Sequence, residues 1–548
     1  MTKRKRSCEY KDNYIRASSV SNYILNDKLV DYLKVNKTDT NKSIEYIMNQ
    51  GNIFEEELIK IIKNKHNIVT INTNDSKENK FQETIKLIDQ GHNIIYQGYL
   101  YDENNNIGGS PDLIVKSTYI NKLMNNIIIL ENEQTINGKD FYVIIDIKHS
   151  NINYDINNYI KNNNRVAAYK AQLYIYTKIL NDYQSININK AYIWGKSYNR
   201  DSSDFINNLG IIDYDTIDKQ SIVDTENAIA WLKNLYNNYD EIIIDDDTDL
   251  YPNMKINTFI KDKHDINKNI NDITTIWNCG IKKRKLAHNN NIFSWTDKRL
   301  TAELLGFKNN QAQIINNILD INRQDEYKIK LVNKIDGNIL HNNHLIIYLD
   351  FEGFSNNLQS KIKDGIINTS KYYIYMIGIG YISNNKWYYK SFILEKLNNQ
   401  SHEQLFQSLF YFLRSLLRNM KKNKINFYHW SNYEKLHFNK IKDNIKLCLT
   451  GNEYEFTDLC KVFQKSVVIK DAFNFKLKNI GNALYNHSLI TTQYDETNKC
   501  SNGLDASIYA LESYEDNNKT IMKSIEKYNE VDCKLLYELH DLLQKLSI

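Results

Sequence analysis

Apolar positions along the chain follow a helical spacing in some segments and a strand spacing in others. Residues 51–62 place apolar side chains three and four apart, which marks one face of a helix. The run 94–100 predicts a strand, and a polar Asn/Gly turn joins it to a second run over 111–115, as in a hairpin. Residues 141–148 form a buried strand. A helix with one apolar face follows over 167–180, then a short strand over 191–195. Residues 265–330 show helical patterns throughout. From Leu345 the pattern resets: a strand over 345–349 ends at Asp350, and further strands span 373–382 and 387–393. A helix over 402–420, a strand over 425–430 and a long helix over 518–546 complete the chain. Three successive strands, then alternating helix and strand, predict a mixed sheet flanked by helices.

An acidic run, Asp245-Asp246-Asp247-Thr248-Asp249, precedes Tyr251-Pro252-Asn253 and marks a boundary. A solvated linker explains it better than a metal site. The expected division is therefore 1–240, a linker and helical segment over 241–335, and 336–548. The length allows each part its own core. Charge is nearly balanced, 70 basic against 66 acidic residues, which excludes a histone-like blanket and leaves local patches to bind any nucleic acid. The six cysteines (Cys8, Cys279, Cys448, Cys460, Cys500, Cys533) never fall in CxxC spacing. That argues against zinc knuckles, iron–sulfur clusters and a disulfide framework, and for a reducing, intracellular setting, cytoplasmic or nuclear. No apolar run approaches the roughly 18 residues of a membrane span. The basic start, Met1-Thr2-Lys3-Arg4-Lys5-Arg6, lacks an apolar continuation and is no secretory signal. It fits an import signal or a phosphate-contacting arm less well than a solvated terminus. The bias toward Asn, Ile, Lys and Tyr, with 40 Tyr against 18 Gly, reflects AT-rich codons. It fits a large DNA virus, whose protein would act in the viral factory, as well as an AT-rich microbe. The Asn runs then become surface loops.

Chemistry enters at Gly108-Gly109-Ser110-Pro111-Asp112, which is followed by Asp146-Ile147-Lys148. Residues two apart on a strand share a face, so Asp146 and Lys148 point together while Ile147 enters the core. Asp112 arrives from the neighbouring hairpin. Hard carboxylate oxygens suit Mg²⁺ or Mn²⁺, which would activate a water and shield charge developing on phosphorus. Lys148 would orient that water. Glu55 offers a third carboxylate, with Glu56 and Glu57 as neighbours. Gln172 and Tyr176, four apart, share a helix face. The ordered set Glu55, Pro111-Asp112, Asp146-x-Lys148, Gln172-x-x-x-Tyr176 resembles the RecB-like branch of the PD-(D/E)XK nucleases. The resemblance implies a restriction-endonuclease-like domain in which the acidic residues bind metal and the Gln/Tyr helix completes the site. Asp146 stands where many relatives carry Glu. The competing reading is that Asp112 and Asp146 only cap strands.

A second set lies downstream. Asp350 and Glu352 are two apart on a strand. Tyr528 and Asp532 are four apart on the terminal helix. Glu434 follows a strand in His429-Trp430-Ser431-Asn432-Tyr433-Glu434. Four carboxylates from three segments can hold two metal ions about 4 Å apart. The set resembles the tyrosine variant of the DEDD exonucleases, of RNase H-like fold and of a YprB-like subgroup. That implies metal ligation by Asp350, Glu352, Glu434 and Asp532, with Tyr528 orienting the attacking water. Glu434 departs from the usual Asp. Asp458 fits a further position of the subgroup, though a helix cap explains it better. A degenerate, non-catalytic module is the competing reading.

Gly195-Lys196-Ser197 imitates the end of a P-loop, but Lys190 stands where its first glycine belongs, so no ATPase or helicase motor is expected. A separate helicase is a conceivable partner. Gly378-Ile379-Gly380 is too short for a dinucleotide site. The basic Lys282-Lys283-Arg284-Lys285, at a turn between two short helices, fits either a DNA-backbone grip of helix-hairpin-helix type or an ordinary connector. His149, next to the first set, fits a surface residue or a support behind the ligands better than a ligand. His429 fits core packing better than a role beside Glu434, and the Tyr372-Tyr373 stretch fits base stacking no better than codon bias and strand propensity. The expectation is an α/β, Mg²⁺- or Mn²⁺-dependent nuclease with two modules, acting on DNA in repair, recombination or replication. The alternatives are an RNA-processing exonuclease and a nucleic-acid-binding scaffold with a degenerate second site.

Overall fold

A computed structural model describes residues 13–547 apart from 40–41, 72–73, 164, 199–204, 246, 341–342, 355–359, 364–365, 370–372, 443–452, 496–497, 499, 501 and 517–518. The basic run 2–6, Cys8, Asn164, Asp246, Tyr372 and Cys448 lie outside the described residues. The chain forms two compact units. The first ends at Ile266 and the second begins at Asn267, with residues 359–369 grouping with the first.

The first unit is built on a six-stranded mixed sheet. Its strands are β1 (Val69–Thr70), β2 (Ile94–Tyr96), β3 (Leu113–Lys116), β4 (Tyr142–Ile152), β5 (Lys190–Tyr198) and β6 (Gly210–Asp213), side by side in chain order. β2, β3 and β4 pair antiparallel, whereas β4 and β5 run parallel. Parallel pairing needs a long crossover, which α2 (Val166–Gln184) supplies before Ser185 ends it in a left-handed conformation. α1 (Lys42–Lys63) also packs on β4. The apolar run Tyr142–Ile147 is buried almost completely except at its edge toward Lys148, as a strand covered on both faces requires.

Two local expectations shift. The run 94–100 is not one strand: Gln97 adopts φ 57°, and the chain breaks into β2 and a separate strand, Leu100–Asp102. The second strand joins Ile107–Gly109 and Ile15–Arg16 in a small sheet. The Tyr251-Pro252-Asn253 region folds onto the first unit. Leu250 and Phe259 pack against Leu29, Val30 and Leu33, and Tyr251 Oη donates to Asn26 O at 2.6 Å. Lys263 Nζ lies 2.7 Å from Asp27 Oδ2, both side chains fully buried. Removing one partner of such a pair would strand a charge and cost roughly 3–5 kcal/mol.

The second unit opens with a helical segment, including α3 (Ile281–His288) and α4 (Asn309–Asn322). Two of the four basic side chains are engaged by the fold, while Lys282 and Lys285 are exposed. Arg284 is buried and pairs with Asp272 at 2.7 Å, and Lys283 Nζ donates to Leu305 O at 2.8 Å. The helix Ile260–Ile270 and a 3₁₀ turn, Ile273–Thr275, precede Gly280, and the basic run lies inside α3 rather than at the turn. The helical pattern also ends early, because Ile329–Leu331 pairs antiparallel with Val467–Ile469.

Beyond it lies a five-stranded mixed sheet. Its strands are β7 (Leu345–Gly353), β8 (Ile374–Ser383), β9 (Lys386–Ile393), β10 (Ile425–His429) and β11 (Tyr454–Asp458), in the order β9-β8-β7-β10-β11. β7 pairs antiparallel with β8 and parallel with β10. α5 (Tyr433–Lys442), α6 (Leu459–Ser466) and α7 (Leu477–Asn486) follow, and α8 (Lys519–Leu546) packs across β7 and β8. Leu535, Leu536, Leu539 and Leu543 of α8 repeat at helical spacing and bury completely, each contributing roughly 1.5–3 kcal/mol. Among the described residues no helix is long and apolar enough to cross a membrane.

Candidate active site

In the first unit, Asp112 sits just ahead of β3 and reaches across to β4, where its Oδ2 accepts the Ile147 N–H at 2.6 Å. That bond places it between Asp146 and Lys148, whose Oδ2 and Nζ are in direct contact. Glu55, from α1, accepts from Tyr96 Oη at 3.0 Å and from Gln97 Nε2 at 2.7 Å. Burial, then the Asp146 charge, holds the Asp112 carboxyl well above its ordinary range. Burial also raises Glu55. At Lys148 burial opposes the charge, but the Asp146 and Asp112 carboxylates outweigh it and raise the amine. Gln172 Nε2 donates to Tyr176 Oη at 3.2 Å, and Tyr176 Oη donates to Ser110 O at 3.4 Å. A Cβ at Gly109 would stand 2.9 Å from that hydroxyl, so the glycine admits the ring. The structure thus gathers Glu55, Asp112, Asp146 and Lys148 into one group that feels a common field, with Tyr176 beside it.

The second unit converges more tightly. Asp350 and Glu352 project from β7, and Asp532 projects from α8. One oxygen from each lies within 4.8 Å of the others, the only group of three such ligands among the described residues. Glu434, in the first turn of α5, stands beside them. Its carboxylate accepts the Phe351 backbone N–H between the two β7 acids. Its Oε2 lies 3.4 Å from His429 Nδ1, and neither atom has a hydrogen-bond partner among the described residues. Tyr494 Oη donates to Asp532 Oδ1, and the Tyr528 hydroxyl also bonds this carboxylate.

The electrostatics define what the cluster lacks. Burial, then Asp532 and Glu434, lifts Asp350 well above its ordinary range. Burial, then Asp350, does the same to Glu352. Glu434 is pushed up to about 8 and Asp532 to about 7, again chiefly by burial. Four buried carboxyls whose burial and mutual repulsion oppose ionisation would ionise together more readily with a positive charge among them. Their oxygens are the hard donors that Mg²⁺ or Mn²⁺ prefers, so the residues fit a divalent cation. Asp458 serves otherwise: its Oδ1 accepts from Lys461 N at 3.3 Å, capping α6, and from Ser431 N at 3.1 Å.

Beside Tyr494 and Tyr528 opens a cavity of about 760 Å³, lined also by Trp387, Lys478, Lys527 and Lys534. Lys478 comes from α7, and Lys527 and Lys534 from α8.

A family model of the RNase H superfamily, RNase_H_2, matches residues 363–544. The matched segment holds Glu434, Tyr528 and Asp532, while Asp350 and Glu352 lie just ahead of it. The match supports an RNase H-like domain over this part of the chain and suggests a nuclease-type function on nucleic acid, for which such domains typically use divalent metals. No curated protein matches the chain.

Sequence reasoning missed Tyr494, Asn529 and Gly378. Asn529 Nδ2 donates to Asp350 Oδ2 at 2.6 Å from inside the Tyr528-Asn529-Glu530-Val531-Asp532 motif. Gly378, set aside as part of a run too short for a dinucleotide site, lies opposite Asp350 in the β7–β8 register. Tyr494 carries no motif and is one tyrosine among 40.

Proposed function

We propose that the chain is a Mg²⁺- or Mn²⁺-dependent nuclease that hydrolyses phosphodiester bonds in DNA during repair, recombination or replication. In this reading it has two hydrolytic centres. The observation that carries it is the convergence of Asp350, Glu352 and Asp532, beside Glu434 and Tyr528, in a segment largely matched by an RNase H superfamily model. In the second centre Asp350, Glu352, Glu434 and Asp532 would hold the cation. When bound, it lowers the pKa of water and shields charge on the phosphoryl oxygens. Tyr528, fixed by its bond to Asp532, orients the attacking water toward phosphorus. Lys478, Lys527 and Lys534 supply phosphate-binding charge along the adjoining cavity, and its aromatic rings suit bases. In the first centre Glu55, Asp112 and Asp146 would hold the cation. Lys148 and the Gln172–Tyr176 pair then hold the phosphate and its water. The RecB-like ordering of these residues supports this centre and the preference for DNA over RNA.

The test is a panel of single- and double-stranded DNA and RNA, with Mg²⁺ or Mn²⁺, cut by wild-type, Asp146→Ala and Asp350→Ala proteins. Each substitution is expected to abolish one component of DNA cleavage by at least about 10³-fold, the scale of losing a principal electrostatic element. Unchanged cleavage in both variants rejects the assignment.

A further inference from the structure

Resting on that reading of the second centre, we propose that Asn529 is its positioning residue, a neutral donor that sets the Asp350 and Glu352 carboxylates for the cation. Asn529 is fully buried on α8. Its Nδ2 donates to Asp350 Oδ2 at 2.6 Å, and the same side chain bonds Glu352. An ionised carboxylate only accepts, so the amide must present nitrogen to it and oxygen elsewhere. Tyr389 Oη, on β9, meets that oxygen at 3.0 Å. The path is open because residue 378 is glycine: a Cβ there would stand 1.6 Å from Asn529 Oδ1, an impossible approach. Three elements, β8, β9 and α8, thus fix one amide against two acids on β7.

The neutrality of the donor matters. A lysine at this place would hold the acids equally well but would cancel the negative charge that attracts the cation. An amide orders the ligands and leaves their charge intact. Such supporting bonds typically govern metal affinity by 10–100-fold.

The experiment uses the full chain in an Asp146→Ala background, so that Mn²⁺ titration calorimetry without substrate reports the second centre. Asn529→Ala and Gly378→Ala are expected to weaken Mn²⁺ binding by about 10–100-fold, and Tyr389→Phe by a smaller factor in the same direction. Cleavage should lose kcat with KM nearly unchanged, a split that a purely structural role would not produce. Asp350→Ala is the control. If it abolishes binding while folded Asn529→Ala binds within about twofold of its parent, the positioning role is wrong and the centre stands. If Asp350→Ala itself binds Mn²⁺ normally, the centre is wrong. Should Asn529→Ala fail to fold, Tyr389→Phe decides, and affinity equal to its parent's overturns the proposal.

Discussion

Buried carboxyls with raised pKa values occur in both units, but their surroundings differ. Asp31, in the first unit, is pushed up to about 7 by burial even though Asn22 Nδ2 and Trp231 Nε1 both donate to it. Its partners are neutral and satisfied, and nothing about it asks for a ligand. Asp532, similarly raised, receives tyrosine hydroxyls yet faces other acids. The first arrangement concerns stability alone. Its folded pKa exceeds the unfolded value, so the folded state binds the extra proton between about pH 4 and 7. Stability is therefore full below that window and falls as pH rises through it. Asp31→Asn keeps an acceptor for Trp231, and Asn22 can turn its amide to offer oxygen. The variant should gain roughly 2–4 kcal/mol over wild type at pH 8 and little at pH 4. Urea unfolding at the two pH values measures this. A variant destabilised equally at both would show that the carboxylate is ionised in the folded state.

At the scale of elements, Asp458 joins the end of β11 to the start of α6. Its Oδ1 serves the Lys461 and Ser431 N–H groups, the second belonging to a residue at φ 74°. Asp458→Ala should therefore cost about 1–2 kcal/mol through the lost cap and the freed N–H, whereas Asp458→Asn should cost little. Mn²⁺ affinity should stay near wild type in both, and a loss as large as that from Asp532→Ala would make Asp458 a ligand. The cap was legible in the sequence because a strand ends there and an amphipathic helix begins. β4 was legible for a related reason, its unbroken apolar run ending in charged residues. The break after β2 was not, since Gln97 takes a left-handed conformation that its identity does not announce. The basic run within α3 misled because charge alone cannot show that Arg284 turns inward to Asp272. Acids spaced two apart on β7 and four from a tyrosine on α8 stood out, because local geometry fixes their shared face. Tyr494 and Asn529 did not: one enters from a loop, and the other lies between motif residues. Both matter only through tertiary contacts.

Each unit carries its own hydrophobic clusters, so the molecule's stability is at least two quantities rather than one. The acidic cluster draws on that of the second unit. With no cation present, raising pH toward 8 forces ionisation of buried groups whose pKa values stand at about 7 and about 8, which disfavours the folded state. A cation binding only the folded state returns RT ln(1 + [L]/Kd), about 2.7 kcal/mol at a hundredfold excess over Kd. Asp532→Asn should therefore have two opposed effects. In chelator at pH 8 it should raise the midpoint of the second unit's thermal transition, because one ionisation is removed and an acceptor for a tyrosine hydroxyl remains. In Mn²⁺ it should fail to show the wild-type rise, and cleavage by this centre should be lost. Function and metal-free stability would then trade against each other at one residue. Scanning calorimetry of wild type and variant, each with chelator and with Mn²⁺, separates the two effects. A variant less stable than wild type in chelator would mean that the Tyr494 and Tyr528 hydrogen bonds outweigh the repulsion, and that the cluster does not rely on a cation for balance.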